Sequence, residues 1–161
     1  RRVDTNPRIL VVALGVQGGF RTVVSNRRLV PRFEIPTLSD PFGEDGGFEI
    51  KNGALKVRLF HFANMGGWDM GPTTFTFRYR GTALQLTGFD RMSIKRNSGE
   101  TEELSINFLT ARVKEAYGQA EKDEPNVTRW HRLKKKAVPT IDQIEDWQSF
   151  DPEGWTSRVF G

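Results

Sequence analysis

The sequence predicts a mostly β protein, one antiparallel domain of about eight to ten strands, and three observations carry that prediction. Phe75, Phe77 and Tyr79 alternate with Thr74, Thr76 and Arg78, the period-two pattern of a strand with one buried face. Asn52-Gly53 lies between two β-rich segments, 48–51 and 54–62, and this pair adopts the positive φ values that a tight hairpin turn requires. The chain has 161 residues, 37% hydrophobic and 11% aromatic, which suits a single core. Its twelve Phe and four Trp make that core aromatic-rich.

Along the chain, the Val/Leu run at 9–14 reads as a buried strand, and 20–25 returns to pair with it across a Gly-containing turn at 16–19. Asn26-Arg27-Arg28 reverses the chain again, leaving 29–33 short and irregular. Prolines, glycines and acidic residues make 36–47 a loop. In the secure hairpin that follows, Leu55, Val57 and Leu59 point inward and Lys56 and Arg58 outward. A long loop from His61 to Pro72 precedes a three-stranded meander. That meander turns at Arg80-Gly81 and at Asn97-Ser98-Gly99, and places Leu84 and Leu86, then Leu104, Ile106 and Phe108, at spacing two. Residues 112–117 extend the sheet, 118–126 is a solvated connection, and 130–138 is the last strand. There Trp130, Arg132, Lys134 and Lys136 alternate with His131, Leu133 and Lys135, the pattern of a solvent-facing edge protected by cations. Thr140 and Gln143 have capping-box spacing, with Ile141, Ile144 and Trp147 at helical intervals. One short C-terminal helical turn is expected. The tail over 139–161, with Phe150, Trp155 and Phe160, is expected to dock on the sheet.

Composition narrows function more than it names one. The net charge of +4, from 24 basic and 20 acidic residues, is mild, and the 129–136 basic run lacks the stripe of interleaved aromatics that nucleic-acid binding needs. No apolar run approaches the ~18 residues of a membrane helix. With no cysteine, disulfides, thiolate metal sites and thiol nucleophiles are excluded. His61 and His131 lie far apart, outside any HExxH or nucleophile-elbow context, and there is no P-loop or dinucleotide fingerprint. The chain therefore reads as a non-enzyme that requires no cofactor.

Two loops remain as candidates. Asp40, Glu44 and Asp45 stand among glycines that could bend the backbone around calcium, or serve as surface acids of a turn. His61, Phe62, Met65, Trp68 and Asp69 form the second group, on a loop long enough to have a task. Their aromatics and methionine suit partner anchoring, or a lid folded back on the sheet.

The order of these segments resembles a family of bacterial exported proteins. Its pattern has an aromatic-alternating FxFRY strand, here 75–79, a turn at Gly81, a leucine-rich strand over 84–88, a turn at Gly99-Glu100 and an SxNxLT segment over 105–110. Asp40-Pro41-Phe42 and the hairpin at 50–53 belong to it too, so the motif-bearing core is 40–112 and the likeness spans roughly 8–138. The resemblance implies a β-sandwich or propeller-like fold over 1–161. It also implies a periplasmic lysozyme-inhibitor-like or immunity protein acting on peptidoglycan hydrolases injected by rival bacteria. A cleaved signal peptide or a lipid anchor would fit that location, since the chain opens on Arg1-Arg2 without a charged-then-apolar leader. In inhibitory relatives the loop after this strand carries an aromatic beside Gly-Gly and enters the target. The matching place is His61-Phe62 with Gly66-Gly67-Trp68, here with Ala63-Asn64-Met65 inserted and no tyrosine. The expected partner is a secreted toxin, neutral or acidic because a positive inhibitor is steered away from a basic one. The other function considered is an envelope carbohydrate- or ligand-binding module that stacks sugars on Trp68 and Trp155.

Overall fold

Alternating aromatics and leucines pair here into one long meander. A computed structural model describes residues 6–33, 38–43, 45–62, 68–135 and 137–161. β1 (Leu10–Val16) and β2 (Gly19–Asn26) form a separate hairpin. β3 (Gly47–Lys51), β4 (Ala54–Phe62), β5 (Asp69–Arg80), β6 (Ala83–Lys95), β7 (Glu100–Asn107), β8 (Arg112–Gln119) and β9 (Val127–Arg132) pair antiparallel in chain order. The result is a mostly β, sandwich-like fold of a seven-stranded sheet and a two-stranded one. The described strands form neither a closed barrel nor repeated propeller blades. A short helix, α1 (Trp155–Phe160), ends the chain.

The core lies on one face of the large sheet. Leu55, Val57 and Leu59 of β4, Phe75 and Phe77 of β5, and Leu84, Leu86 and Phe89 of β6 are buried there. The β3–β4 turn is as its residues dictate: Asn52 and Gly53 have φ of 51° and 70°, the left-handed pair of a type I′ turn. A bulge between Thr76 and Phe77 lets Phe77 pair with Leu86 while Thr76 pairs with Gly88. The intervening Thr87 is held by its hydroxyl, which donates to the Thr76 carbonyl at 3.1 Å. At the end of β2, the Asn26 side-chain oxygen accepts from the N–H groups of Arg28 and Leu29, at 3.0 and 2.9 Å. That turn sends Leu29 into the core, fully buried.

Three segments differ from expectation. The 9–14 run forms a strand but not a buried one: of its residues only Leu10 is buried, while Ile9 and Val11 are 44% and 56% exposed, because β1 pairs with β2 alone among the described strands. Asp69 to Pro72, expected in the long loop, belong to β5, with Phe62 opposite Met70 and Phe60 opposite Pro72; 63–67 lie outside the described residues. The last strand runs over Val127–Arg132, three residues earlier at its start than 130–138. It is the edge of the sheet, with Trp130 outward and His131 and Leu133 inward. Beyond it the Leu133 N–H donates to the Ala111 carbonyl at 3.0 Å, and the Glu153 carboxylate accepts from the N–H groups of Lys134 and Lys135, both at 2.7 Å.

The tail from 139 to 161 packs along the core face. The Pro139 carbonyl accepts from Leu86 N–H at 2.7 Å, on a stretch of β6 that β7 does not reach. Ile141–Gln143 forms a single 3₁₀ turn, where Thr140 N–H donates to Gln143 Oε1 at 2.8 Å. Ile141, Ile144 and Trp147 are buried, as are Trp155 and Val159 of α1. Phe150 tilts against Phe75 and Phe89, with ring centroids 5.7 and 5.2 Å away.

The two amides held by Glu153 make the tail's attachment pH-dependent. The Lys134 N–H is the main reason its carboxyl lies below the usual 4.5; partial burial opposes this and the Lys135 N–H adds to it. A carboxyl with a depressed folded-state value stabilises the fold fully above 4.5 and loses that contribution as pH falls below it. Glu153→Ala is expected to lower Tm by about 3 °C at pH 7. The gap to wild type should close as the solution is acidified below that range. Thermal melts across pH measure this, and a gap that stays constant down to acid pH would refute the role given to Glu153.

Candidate functional site

The end of the β4–β5 hairpin gathers most of the residues singled out in the sequence. His61 and Phe62 close β4, and Trp68 and Asp69 open the return. Met65 lies outside the described residues. Phe62 is half-buried, and the Arg96 guanidinium lies 4.9 Å from its ring centroid. The Trp68 carbonyl accepts from Arg96 N–H at 2.8 Å, which ties the hairpin end to the strand beyond it. The Trp68 side chain itself is 67% exposed. A tryptophan held by its backbone and open on its rings suits a contact surface.

Beside it lies a cleft of about 100 Å³ bordered by His61, Asp69, Gly71, Arg91, Glu102 and Phe160. Its wall is tight at Gly71, where an added Cβ would overlap the Met92 carbonyl oxygen. The Arg91 guanidinium lies 5.0 Å from the Phe160 ring centroid and donates to the Gln148 carbonyl at 3.0 Å. His61 Nδ1 lies 3.2 Å from Gln148 Nε2. The C-terminal segment therefore completes the wall of the cleft. An imidazole, a carboxylate, a guanidinium and an open indole are recognition groups for a polar and aromatic partner surface.

Asp40 is built into this end of the molecule from the other side. Both its oxygens face Arg8, at 2.7 and 2.6 Å, and Oδ1 also accepts from Phe42 N–H at 3.0 Å. That arrangement sets Ser39 and Pro41 against β4: Ser39 N–H donates to the Phe62 carbonyl at 2.9 Å, and Phe60 N–H to the Pro41 carbonyl at 2.8 Å. The Asp-Pro-Phe segment thus braces the strand that carries His61 and Phe62. Of the residues considered for calcium, Asp40 is engaged by Arg8, Asp45 is exposed and Glu44 lies outside the described residues. Among the described residues no three His, Cys, Asp or Glu side chains cluster in a way that could hold a metal ion.

Sequence reasoning missed a second cluster, around Glu115. This β8 carboxylate is only 1% exposed; Oε1 lies 3.0 Å from His131 Nε2 and 3.6 Å from Arg129. Oε2 lies 3.5 Å from Arg158 Nε and makes no hydrogen bond among the described residues. Trp155 covers the group, its rings 4.9 Å from His131 and 4.8 Å from the Arg158 guanidinium. An inward carboxylate in an alternating strand is indistinguishable in sequence from an outward one until its cationic partners are placed. The same packing buries Trp155 to 8% exposure, so it offers no open face to a sugar.

No family model, curated protein or solved structure matches this chain. Among the described residues no helix is long and apolar enough to cross a membrane.

The cleft has a titration signature. Burial is the main reason His61 lies below the ordinary 6.5; Arg91 lowers it further and Asp69 works against both. In an NMR pH titration the His61 ring should therefore titrate below 6.5. Asp69→Asn should move its midpoint lower still, and Arg91→Gln should move it higher. A His61 midpoint above 6.5, or shifts of the opposite sign, would refute this geometry.

Proposed function

We propose that this chain is a stoichiometric binding protein of the periplasm, an immunity protein that occludes a secreted antibacterial toxin of the cell-wall hydrolase class. The observation that carries this reading is Trp68, backbone-anchored by Arg96 yet 67% exposed at the end of the hairpin. Phe62 under its arginine, with His61 and Asp69 at the cleft, supplies the surrounding contacts. The motif order over 40–112 supports the class of partner. Inhibition of this kind needs only steric plugging of a substrate groove. Strand ends braced on both sides can do that at little entropic cost. The carbohydrate-binding alternative keeps Trp68 as a stacking face but loses Trp155, which is buried.

The test is capture from envelope extract with the wild-type chain and with a Phe62→Ala/Trp68→Ala double variant shown folded by circular dichroism. Activity of the captured protein is then assayed on peptidoglycan sacculi. One hydrolase at near-equal stoichiometry, inhibited by the wild type and at least ~10-fold less by the double variant, is the expected result. A captured partner without wall-degrading activity, or inhibition unchanged in the double variant, would overturn the reading.

A further inference from the structure

Among the described strands the second layer holds only β1 and β2, and the cleft beside it has a definite chemistry. β1 pairs with β2 alone and β3 with β4 alone among the described strands. Between them lies an apolar cleft of about 450 Å³ over the end of the large sheet. Its floor includes Leu55 and Tyr79, and Phe48 and Ile50 of β3 stand on one side. On the other side it is lined by five consecutive β1 residues, from Leu10 to Leu14. Successive strand residues point to opposite faces, so a cleft that touches all five runs along the strand's edge. Val11, Phe48 and Ile50 are 56%, 50% and 79% exposed.

Among the described edge strands, β9 and β1 are treated differently. β9, at the far edge, carries Arg129 and Arg132 in six residues, the charge that blunts unwanted pairing. β1, LVVALGV, carries no charged residue in seven. An unprotected, β-branched edge beside an apolar floor is the geometry of strand addition, in which main-chain bonds give affinity and side-chain pockets give selectivity.

Charge selects the occupant. Residues 6–33 contain five arginines and no Asp or Glu. Of these, Arg8 is engaged by Asp40, Arg28 donates to the Asp142 carbonyl at 3.3 Å, Arg32 is also engaged, and Arg21 stands opposite Leu14 across the β1–β2 pair. Lys51 and Arg80, both exposed, follow the lining residues Ile50 and Tyr79. Glu49 is paired with Lys56 at 3.3 Å. Apart from the paired Glu49, the charged residues that adjoin the lining in sequence or register, among them Arg21, Lys51 and Arg80, are thus basic.

We propose that the cleft between β1 and β3 is a second docking site, taken by an extended segment of a partner protein in which apolar residues alternate with acidic ones. The segment adds as a strand to the free edge of β1, sets its apolar side chains over Leu55 and Tyr79, and presents its carboxylates to the basic margin. This inference goes beyond the toxin reading and does not depend on it. The cleft lies at the Asn52-Gly53 end of β4, and Trp68 at the other end, about 27 Å away along nine strand residues.

The probe is a capped ten-residue synthetic peptide of alternating valine and glutamate, with a valine–lysine peptide as control. Binding is read by fluorescence polarisation and by amide exchange of the intact chain. The acidic peptide should bind at least ~10-fold more tightly than the basic one and slow exchange along β1. A Val11→Ser/Ile50→Ser double variant, with its melting temperature retained, should weaken binding ~10-fold. Trp68→Ala should leave it unchanged. Equal binding of both peptides, no binding of either, or protection confined to other strands would overturn the proposal. So would a concentration-dependent dimer abolished by the same double variant, because the face would then belong to a second copy of this chain.

Discussion

Phe75 stands where three parts of the chain meet, and the rest of the structure depends on how its ring is enclosed. Phe77 lies 6.3 Å away along the same strand, Phe89 5.3 Å away on the next, and Phe150 closes the group from the tail at 5.7 Å. The first three rings are fully buried. Tilted and edge-on contacts at these distances add to the area that the rings remove from water. The packing couples β5, β6 and the C-terminal segment. The β4–β5 pairing and the Arg96 amide bond to the Trp68 carbonyl set Phe62 and Trp68 at one end of this sheet, beside His61 and Asp69.

The tail is held by charge as well as by rings. Burying Glu115 costs free energy unless its lost water is compensated; the Arg129 and Arg158 guanidiniums supply opposite charge and the His131 ring a hydrogen-bond contact, from two elements. Glu153 binds the chain just after β9 from the opposite direction. These contacts fix the path of α1, and Phe160 at its end forms one wall of the cleft beside Trp68. Site and tail are therefore one construction.

The antiparallel class, the Asn52-Gly53 turn, the meander and the inward faces of β4 and β5 were legible because period-two patterning and turn chemistry are local. Phe89 was not, because the bulge at Thr76 places it three residues after Leu86 and breaks the alternation on β6. Pro72 argued for a loop, yet it sits in β5 at a point that has no partner in β6. Its missing N–H costs no bond there. The candidate site was half legible: His61, Phe62, Trp68 and Asp69 do share one end of the sheet. Arg91, Arg96 and Phe160 reach it from remote positions that no local pattern connects. Asp40 looked like a cation ligand in sequence, and only the fold brings Arg8 to it across 32 residues.

The central claim is that the Phe75 cluster joins the middle of the sheet to the tail, leaving the hairpin end and the β1 edge free for partners. Amide hydrogen exchange of the intact chain tests it directly. The slowest amides should be those around Phe75, Phe77, Leu86 and Phe89, with the tail from Ile141 to Val159 opening together with them, while Trp68 and the outer edge of β1 exchange quickly. A tail that exchanges independently of the sheet, or a β1 edge as protected as β5, would contradict the account.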